Sequence, residues 1–147
     1  MLIYLKLFKA KNMRQSKKEV DDLSYQIIGA AIEVHRNIGP GFLESVYQKC
    51  FAIELDERKL TFQQELELPF SYKNHTIVGH FRCDFFVENL IVVEIKAVSE
   101  ILPIHQAQVI NYMNLLQIPK GILLNFNVIN LFHQGQKTFV NRYYDSM

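Results

Sequence analysis

The sequence predicts an α/β fold, a single domain whose mixed central β-sheet is flanked by helices. Three observations lead there. A chain of 147 residues, 49% hydrophobic and 21% charged, suits one core rather than two. Its apolar residues recur at helical spacing up to about residue 59, alternate with a period of two from Thr61, and return to helical spacing at Ile104. The order therefore reads helix, helix, three strands, helix, two strands, with no repeat, low-complexity tract or long linker to divide it.

Each element has a local reason. Residues 22–37 place Leu23, Ile27, Ala30 or Ala31, and Val34 on one face, with Asp21, Asp22 or Ser24 available as the cap. Gly39-Pro40-Gly41 stops that helix, because glycine accepts left-handed geometry and proline cannot continue the hydrogen-bond ladder. A second helix, about 43–59, carries a wide stripe: Val46, Cys50 and Ile53 on one line, Tyr47, Phe51 and Leu55 on the next. Phe62, Leu66, Leu68, Phe70 and Tyr72 then share one parity, opposite Gln63, Glu65, Glu67 and Ser71, as a half-exposed strand requires. Lys73-Asn74-His75 reads as a turn before a strand at 76–87, and Glu88-Asn89 as a turn before a strand at 91–97. A helix over 104–116 is closed by Pro119, and strands are expected at 121–126 and 128–133. The final residues show no clear period.

Composition excludes several classes. The formal charge is +1, which disfavours coating nucleic acid by bulk electrostatics. Residues 1–18 nevertheless hold six basic side chains (Lys6, Lys9, Lys11, Arg14, Lys17, Lys18) and no acid; taking those six from +1 leaves −5 for residues 19–147. The expected division is a basic tail over 1–20, read as flexible, and a folded domain over 21–147. Lys6 and Lys9 break the apolar start and no small-residue cleavage site follows, so a signal peptide is not expected; Met13 offers a second start. No apolar run is long enough for a membrane span, and Cys50 and Cys83 read as buried free thiols. The expected location is cytoplasmic, with no membrane partner.

The chemistry concentrates in two strands. Glu94 and Lys96 interrupt IVVEIKAV, otherwise a buried strand, and alternation points both to one face. Either they form a cross-strand salt bridge at a sheet edge, or they belong to a metal site with an adjacent lysine. The turn discriminates between them. A two-residue loop at Glu88-Asn89 sets Asp84 opposite Val93. A three-residue connection, Glu88–Leu90, pairs Val87 with Ile91 and brings Asp84 opposite Glu94 on the same face. The metal reading thus predicts an odd-length turn or a bulge.

Asp84 followed by Glu94-x-Lys96 resembles the PD-(D/E)xK nuclease pattern. Gly41-Phe-Leu-Glu44-Ser-Val-Tyr47 matches the GxxExxY signature of a small prokaryotic family in that superfamily, and Gln108-Val-Ile-Asn-Tyr112 resembles its QxxxY motif. The resemblance spans roughly residues 22–133. It implies a restriction-endonuclease-like core and hydrolysis of phosphodiester bonds in nucleic acid, DNA ahead of RNA. It also implies Mg²⁺ or Mn²⁺ held by Asp84, Glu94, the Ile95 carbonyl and, directly or through water, Glu44. Hard cations of this kind take oxygen ligands and keep several waters. Lys96 would orient and help deprotonate the attacking water or offset developing charge, and Gln108 and Tyr112, four apart on one helix face, would contact a phosphate or water. Catalytic candidates are therefore Glu44, Asp84, Glu94, Lys96, Gln108 and Tyr112. Tyr47 is read as packing against or orienting Glu44, and Arg82 as pairing with Asp84 or a phosphate. His35 and His105 are read as making ordinary polar contacts. Two alternatives stand beside the enzyme: a catalytically inactive nucleic-acid-binding scaffold, and a homodimeric module using Phe139, Tyr143 and Tyr144.

Overall fold

The computed structural model describes residues 15–147. Lys6, Lys9, Lys11 and Arg14 of the basic tail, and Met13, lie outside the described residues. Helix α1 spans Lys17–Ile38 and starts earlier than its apolar pattern from Leu23 predicts. Ser16, rather than Asp21, Asp22 or Ser24, is its cap, accepting the Glu19 N–H at 3.2 Å. The extension has a packing cause: Val20, three residues before Leu23, is fully buried and continues the line Leu23, Ile27, Ala30, Val34. Lys17 and Lys18 therefore belong to the helix.

Gly39, at φ 67°, ends α1 and donates its N–H to the His35 carbonyl at 2.8 Å. Helix α2 (Glu44–Glu57) buries a narrower stripe than expected, Tyr47, Phe51 and Leu55, while Ile53 is exposed. Strands β1 (Phe62–Tyr72) and β2 (His75–Val87) form a hairpin closed by Lys73-Asn74. Both turn residues have positive φ, 45° and 66°, matching the twist a two-residue hairpin loop needs. Strand β3 (Ile91–Lys96) follows, then helix α3 (Pro103–Leu116) and strand β4 (Lys120–Asn125).

The second strand expected at 128–133 is not formed. Residues 131–135 make a single wide helical turn, and strand β5 is Gln136–Val140, followed by a short helix α4 (Arg142–Asp145). Hydrogen bonding explains the shift. Asn130 Oδ1 accepts the His133 N–H at 3.0 Å, and Gln134 Oε1 accepts the Asn130 N–H at 2.9 Å, so local side chains satisfy the backbone that a strand would pair. Gly135 closes the turn where any Cβ would strike the Asn125 carbonyl.

The sheet order is β1-β2-β3-β4-β5, with β3 and β4 parallel and every other pair antiparallel. Its two faces carry separate cores. Phe85, Val87, Ile91, Val93, Ile95, Ile122 and Leu124 meet α1 and α2. Phe86, Val92 and Leu123 meet Val109, Tyr112, Met113 and Leu116 of α3. Each such Phe, Ile or Leu contributes about 1.5–3 kcal/mol by leaving water. Gly121 lets α3 sit this close: a Cβ there would lie 2.6 Å from Val109 Cγ1 and 2.8 Å from Met113 Sδ.

The hairpin changes face partway along, ahead of a register shift between Leu68 and Phe70. Phe62 packs with the α1–α2 face, yet Leu66 and Leu68, of the same parity, pack with α3. Phe85 and Cys83 divide in the same way. Between them lies Glu65, at φ 49°, skipped in a ladder that runs from Gln64↔Phe85 to Leu66↔Cys83. Positive φ at Glu65 departs from the extended backbone on which side-chain alternation depends, so the residues either side of it need not keep their faces. The reversal falls beside Asp84.

Candidate active site

The connection from β2 to β3 is three residues, Glu88–Leu90, and the register is Val87↔Ile91, Phe86↔Val92, Phe85↔Val93. Continued by one step it sets Asp84 against Glu94, as the odd-length turn requires. Glu88 and Asn89 take positive φ, 52° and 53°. Glu88 is tied back by its carboxylate, which accepts the Thr61 N–H at 3.0 Å and the Thr61 hydroxyl at 2.9 Å.

Backbone pairing of β2 and β3 ends at Phe85↔Val93, and two carboxylates take over. Glu94 Oε1 accepts the Asp84 N–H at 2.8 Å, and Asp84 Oδ2 accepts the Ile95 N–H at 2.8 Å. Glu94 is 2% exposed, the one buried acid among the described residues. Burial first, and then the charge of Asp84, push its carboxyl well above the ordinary carboxylate range. Burial likewise raises Asp84, opposed by the Ile95 N–H and the neighbouring Lys96. Two acids in one gap of a sheet repel each other and resist ionising together, which is the electrostatic condition that a cation relieves.

Lys96 does not pair with either acid. No ion pair found among the described residues includes Lys96 or Glu94, so the salt-bridge reading of that strand is not what the fold adopts. Lys96 Nζ donates instead to Gln108 Oε1 at 3.2 Å; Gln108 Nε2 donates to the Tyr112 hydroxyl at 3.2 Å, which donates to the Arg82 carbonyl at 2.9 Å. The i,i+4 pair on α3 thus links the lysine to β2. Burial pushes the Tyr112 hydroxyl up to about 12, so it stays a proton donor. Arg82 pairs with Glu65 at 3.4 Å, not with Asp84.

Glu44 opens α2, where the helix N-terminus favours an acid. Burial raises its carboxyl, Lys96 and His105 lower it and Asp84 raises it, which places all three in electrostatic range. Tyr47 holds the turn before it: its hydroxyl donates to the Gly39 carbonyl at 2.6 Å and accepts the Phe42 N–H at 3.2 Å, while its ring stacks on Phe126 at 4.6 Å.

Asp84 and Glu94 come together; Glu44 joins them in electrostatic range only. No three His, Cys, Asp or Glu side chains form a group that could hold an ion by themselves among the described residues. The remaining donor set still fits a hard cation that keeps waters. The Phe126 N–H occupies the Lys96 carbonyl at 2.9 Å. Successive residues of a strand bond to opposite sides, so the Ile95 carbonyl faces the Asp84 side, as the Ile95 N–H does. Two carboxylates and one carbonyl oxygen therefore face the gap between β2 and β3.

The histidines serve the backbone. His35 Nε2–H donates to the Val128 carbonyl at 2.7 Å, and His105 Nδ1 accepts the Leu102 N–H at 3.0 Å, capping α3. Cys50 and Cys83 are free thiols; burial raises Cys83 to about 12, which leaves it inert.

These features coincide with an independent comparison. The sequence profile of the PD-(D/E)XK nuclease superfamily matches residues 21–139. The chain belongs to that superfamily. Searches of curated proteins and of solved structures give no significant match. The five-stranded mixed sheet flanked by helices is consistent with the restriction-endonuclease-like fold of this superfamily. Among the described residues, no helix is long and apolar enough to cross a membrane.

Sequence reasoning missed two positions in this PD-(D/E)XK protein. Glu65 turns the hairpin at Asp84, and a polar residue in an alternating strand carries no signal of positive φ. Asn125, 3% exposed, clamps the chain after Lys96: its Nδ2 donates to the Val98 carbonyl at 2.9 Å and its Oδ1 accepts the Val98 N–H at 3.0 Å. An amide ending an apolar strand run was the available clue. Asn125→Ala is expected to cost about 1–3 kcal/mol in urea unfolding by stranding both groups. An unchanged midpoint would show that Val98 is not held this way.

Proposed function

We propose that this chain is a nuclease that uses Mg²⁺ or Mn²⁺ to hydrolyse phosphodiester bonds in nucleic acid, DNA ahead of RNA. The Asp84–Glu94 pair carries the reading: two acids share one gap in the sheet, and their repulsion serves no packing purpose. Asp84, Glu94 and the Ile95 carbonyl would hold the ion, with Glu44 reaching it directly or through water. Once bound, such an ion polarises a phosphoryl oxygen and makes water a better nucleophile at neutral pH.

The protein's own groups do the rest. Lys96, held by Gln108, sets a cation on the same strand face as Glu94, where it would offset negative charge building on the phosphoryl oxygens. Gln108 and Tyr112 keep that ammonium from swinging onto the acids. Gly41, Glu44 and Tyr47 support placing the chain in the GxxExxY branch, and the setting proposed for it is cytoplasmic.

The deciding experiment offers single- and double-stranded DNA and RNA with Mg²⁺ or Mn²⁺, alongside Lys96→Ala, and titrates Mn²⁺ calorimetrically. Cleavage that disappears with Lys96, together with Mn²⁺ heat that disappears in Asp84→Ala, is the expected pair of results. A protein that binds no Mn²⁺ and cleaves none of the four substrates is not a nuclease.

A further inference from the structure

The first hairpin outruns the rest of the sheet. Pairing of β2 with β3 ends at Phe85↔Val93, while β1 and β2 continue together to Tyr72↔His75. Past Asp84, toward the turn at Lys73-Asn74, the chain is a two-stranded ribbon. Its root is held by rings: Phe70 lies 5.2 Å from Phe81, and Phe81 meets Tyr112 of α3 edge-on at 6.3 Å. Further out, Ser71, Lys73, Asn74, His75, Thr76 and His80 are all exposed. Asp84 is itself a residue of β2, so the backbone ties this ribbon to the acid pair.

The ribbon's own features limit what it can receive. Both edges are broken against pairing with another strand. Glu65, at φ 49°, and Pro69, which has no N–H, interrupt β1. On β2, Val78-Gly79-His80 bulges where the register jumps from Leu68↔Phe81 to Phe70↔Ile77, with Gly79 at φ 84°. An apolar partner meets little: among the described residues of the ribbon the exposed large apolar side chains are Tyr72 and Val78, and Lys73 Nζ sits 5.5 Å over the Tyr72 ring. What remains is cationic and hydrogen-bonding. No acid occurs between Glu67 and Asp84, in a body of charge −5 over residues 19–147. The acids Glu65 and Glu67 stand at the root, where Arg82 pairs with Glu65 at 3.4 Å.

We infer that this ribbon enters the major groove of a B-form duplex beside the cleaved bond, so the substrate is double-stranded DNA. The inference rests on the nuclease reading above and adds the substrate class. Two strands about 4.8 Å apart fit a groove about 12 Å wide, whose floor presents hydrogen-bonding base edges. The amide of Asn74, the hydroxyls of Ser71 and Thr76 and the imidazoles of His75 and His80 suit those edges, and Lys73 suits a flanking phosphate. From Gln64 to Tyr72 the ribbon runs about 25 Å, the length of about seven base pairs. An A-form RNA duplex excludes it, because its major groove is too deep and narrow for side chains to read. A single strand has no groove to enter.

The chain contains no tryptophan, so Thr76→Trp places a single fluorescent indole on the exposed ribbon. With Ca²⁺ replacing Mn²⁺, a DNA duplex is expected to quench it and an RNA duplex of the same sequence to leave it unchanged. Methyl green, which occupies the major groove, should compete with the protein for the DNA; netropsin, which occupies the minor groove, should not. Lys73→Gln, its fold checked by circular dichroism, is expected to lower DNA-duplex affinity about fivefold and to flatten the slope of log affinity against log salt by about 0.9. The KM for duplex should rise with kcat retained. Equal quenching by the two duplexes, competition by netropsin instead of methyl green, or no quenching by a duplex that Lys96-dependent cleavage consumes overturns the inference and leaves the nuclease intact. So does emission that shifts with protein concentration alone, which assigns the ribbon to a second copy of the chain. A protein that cleaves nothing yet is still quenched by the DNA duplex fails the nuclease reading instead.

Discussion

Glu94→Gln is expected to lose cleavage by on the order of 10³-fold or more, while the metal-free protein becomes more stable rather than less. The activity loss follows from removing one of two carboxylates that would hold the ion. The stability gain follows from the fold. Glu94 is buried, and burial and Asp84 raise its carboxyl above the ordinary 4.5. The folded state then binds the proton more tightly than the unfolded chain. Its stabilising contribution is full below about pH 4.5 and is lost as the pH climbs toward the raised value. Wild-type stability should fall across the neutral range by up to about 1.4 kcal/mol per pH unit. Asp84 and Glu44, also raised, act in the same direction. Glutamine never ionises, its carbonyl can still accept the Asp84 N–H, and its amide can donate to Asp84. Urea midpoints measured with pH should therefore converge at the acid end and separate above neutrality, Glu94→Gln being the higher. Mn²⁺ should raise only the wild-type curve. A variant less stable than wild type at pH 8 would falsify the claim that the pair is electrostatically strained.

Lys96→Met is expected to separate metal binding from turnover. The lysine is half-buried and held by an amide, so a methionine stem of similar length keeps the packing. Mn²⁺ affinity should remain, or rise modestly, because a nearby cation has been removed. The cleavage rate should drop about 10²–10⁴-fold, the range for removing a group that acts on charge or protons in the transition state. Gln108→Ala should lose less, since the ammonium survives but is no longer held. Equal loss of Mn²⁺ binding and cleavage in Lys96→Met would make the lysine part of the ion's cradle instead.

Much of the candidate site is legible in the sequence because it follows from parity. Glu94 and Lys96 stand out as charges in an apolar strand, and the period of two puts them on one face. Whether Asp84 joins them depends on one residue of turn length, so the sequence poses that question without answering it. The three-residue connection Glu88–Leu90, with positive φ at Glu88 and Asn89, answers it. The error at 128–133 has the same origin. Apolar residues there resemble a strand, but Asn130 and Gln134 satisfy the backbone locally and move β5 eight residues later. The start of α1 was misplaced because one buried valine lies before the expected cap.

The sequence by itself determined the α/β class, the order of the elements through β4, the candidate site residues and the superfamily they resemble. These depend on near-neighbour spacing, which alternation and helical period convert directly into faces. Only the tertiary structure decided what Lys96 touches, how the hairpin changes face at Glu65 and Asp84, and that Asn125 ties down the chain after Lys96. Such contacts join residues far apart in the chain. They depend on which strand pairs with which and where pairing stops, and no local pattern carries that information.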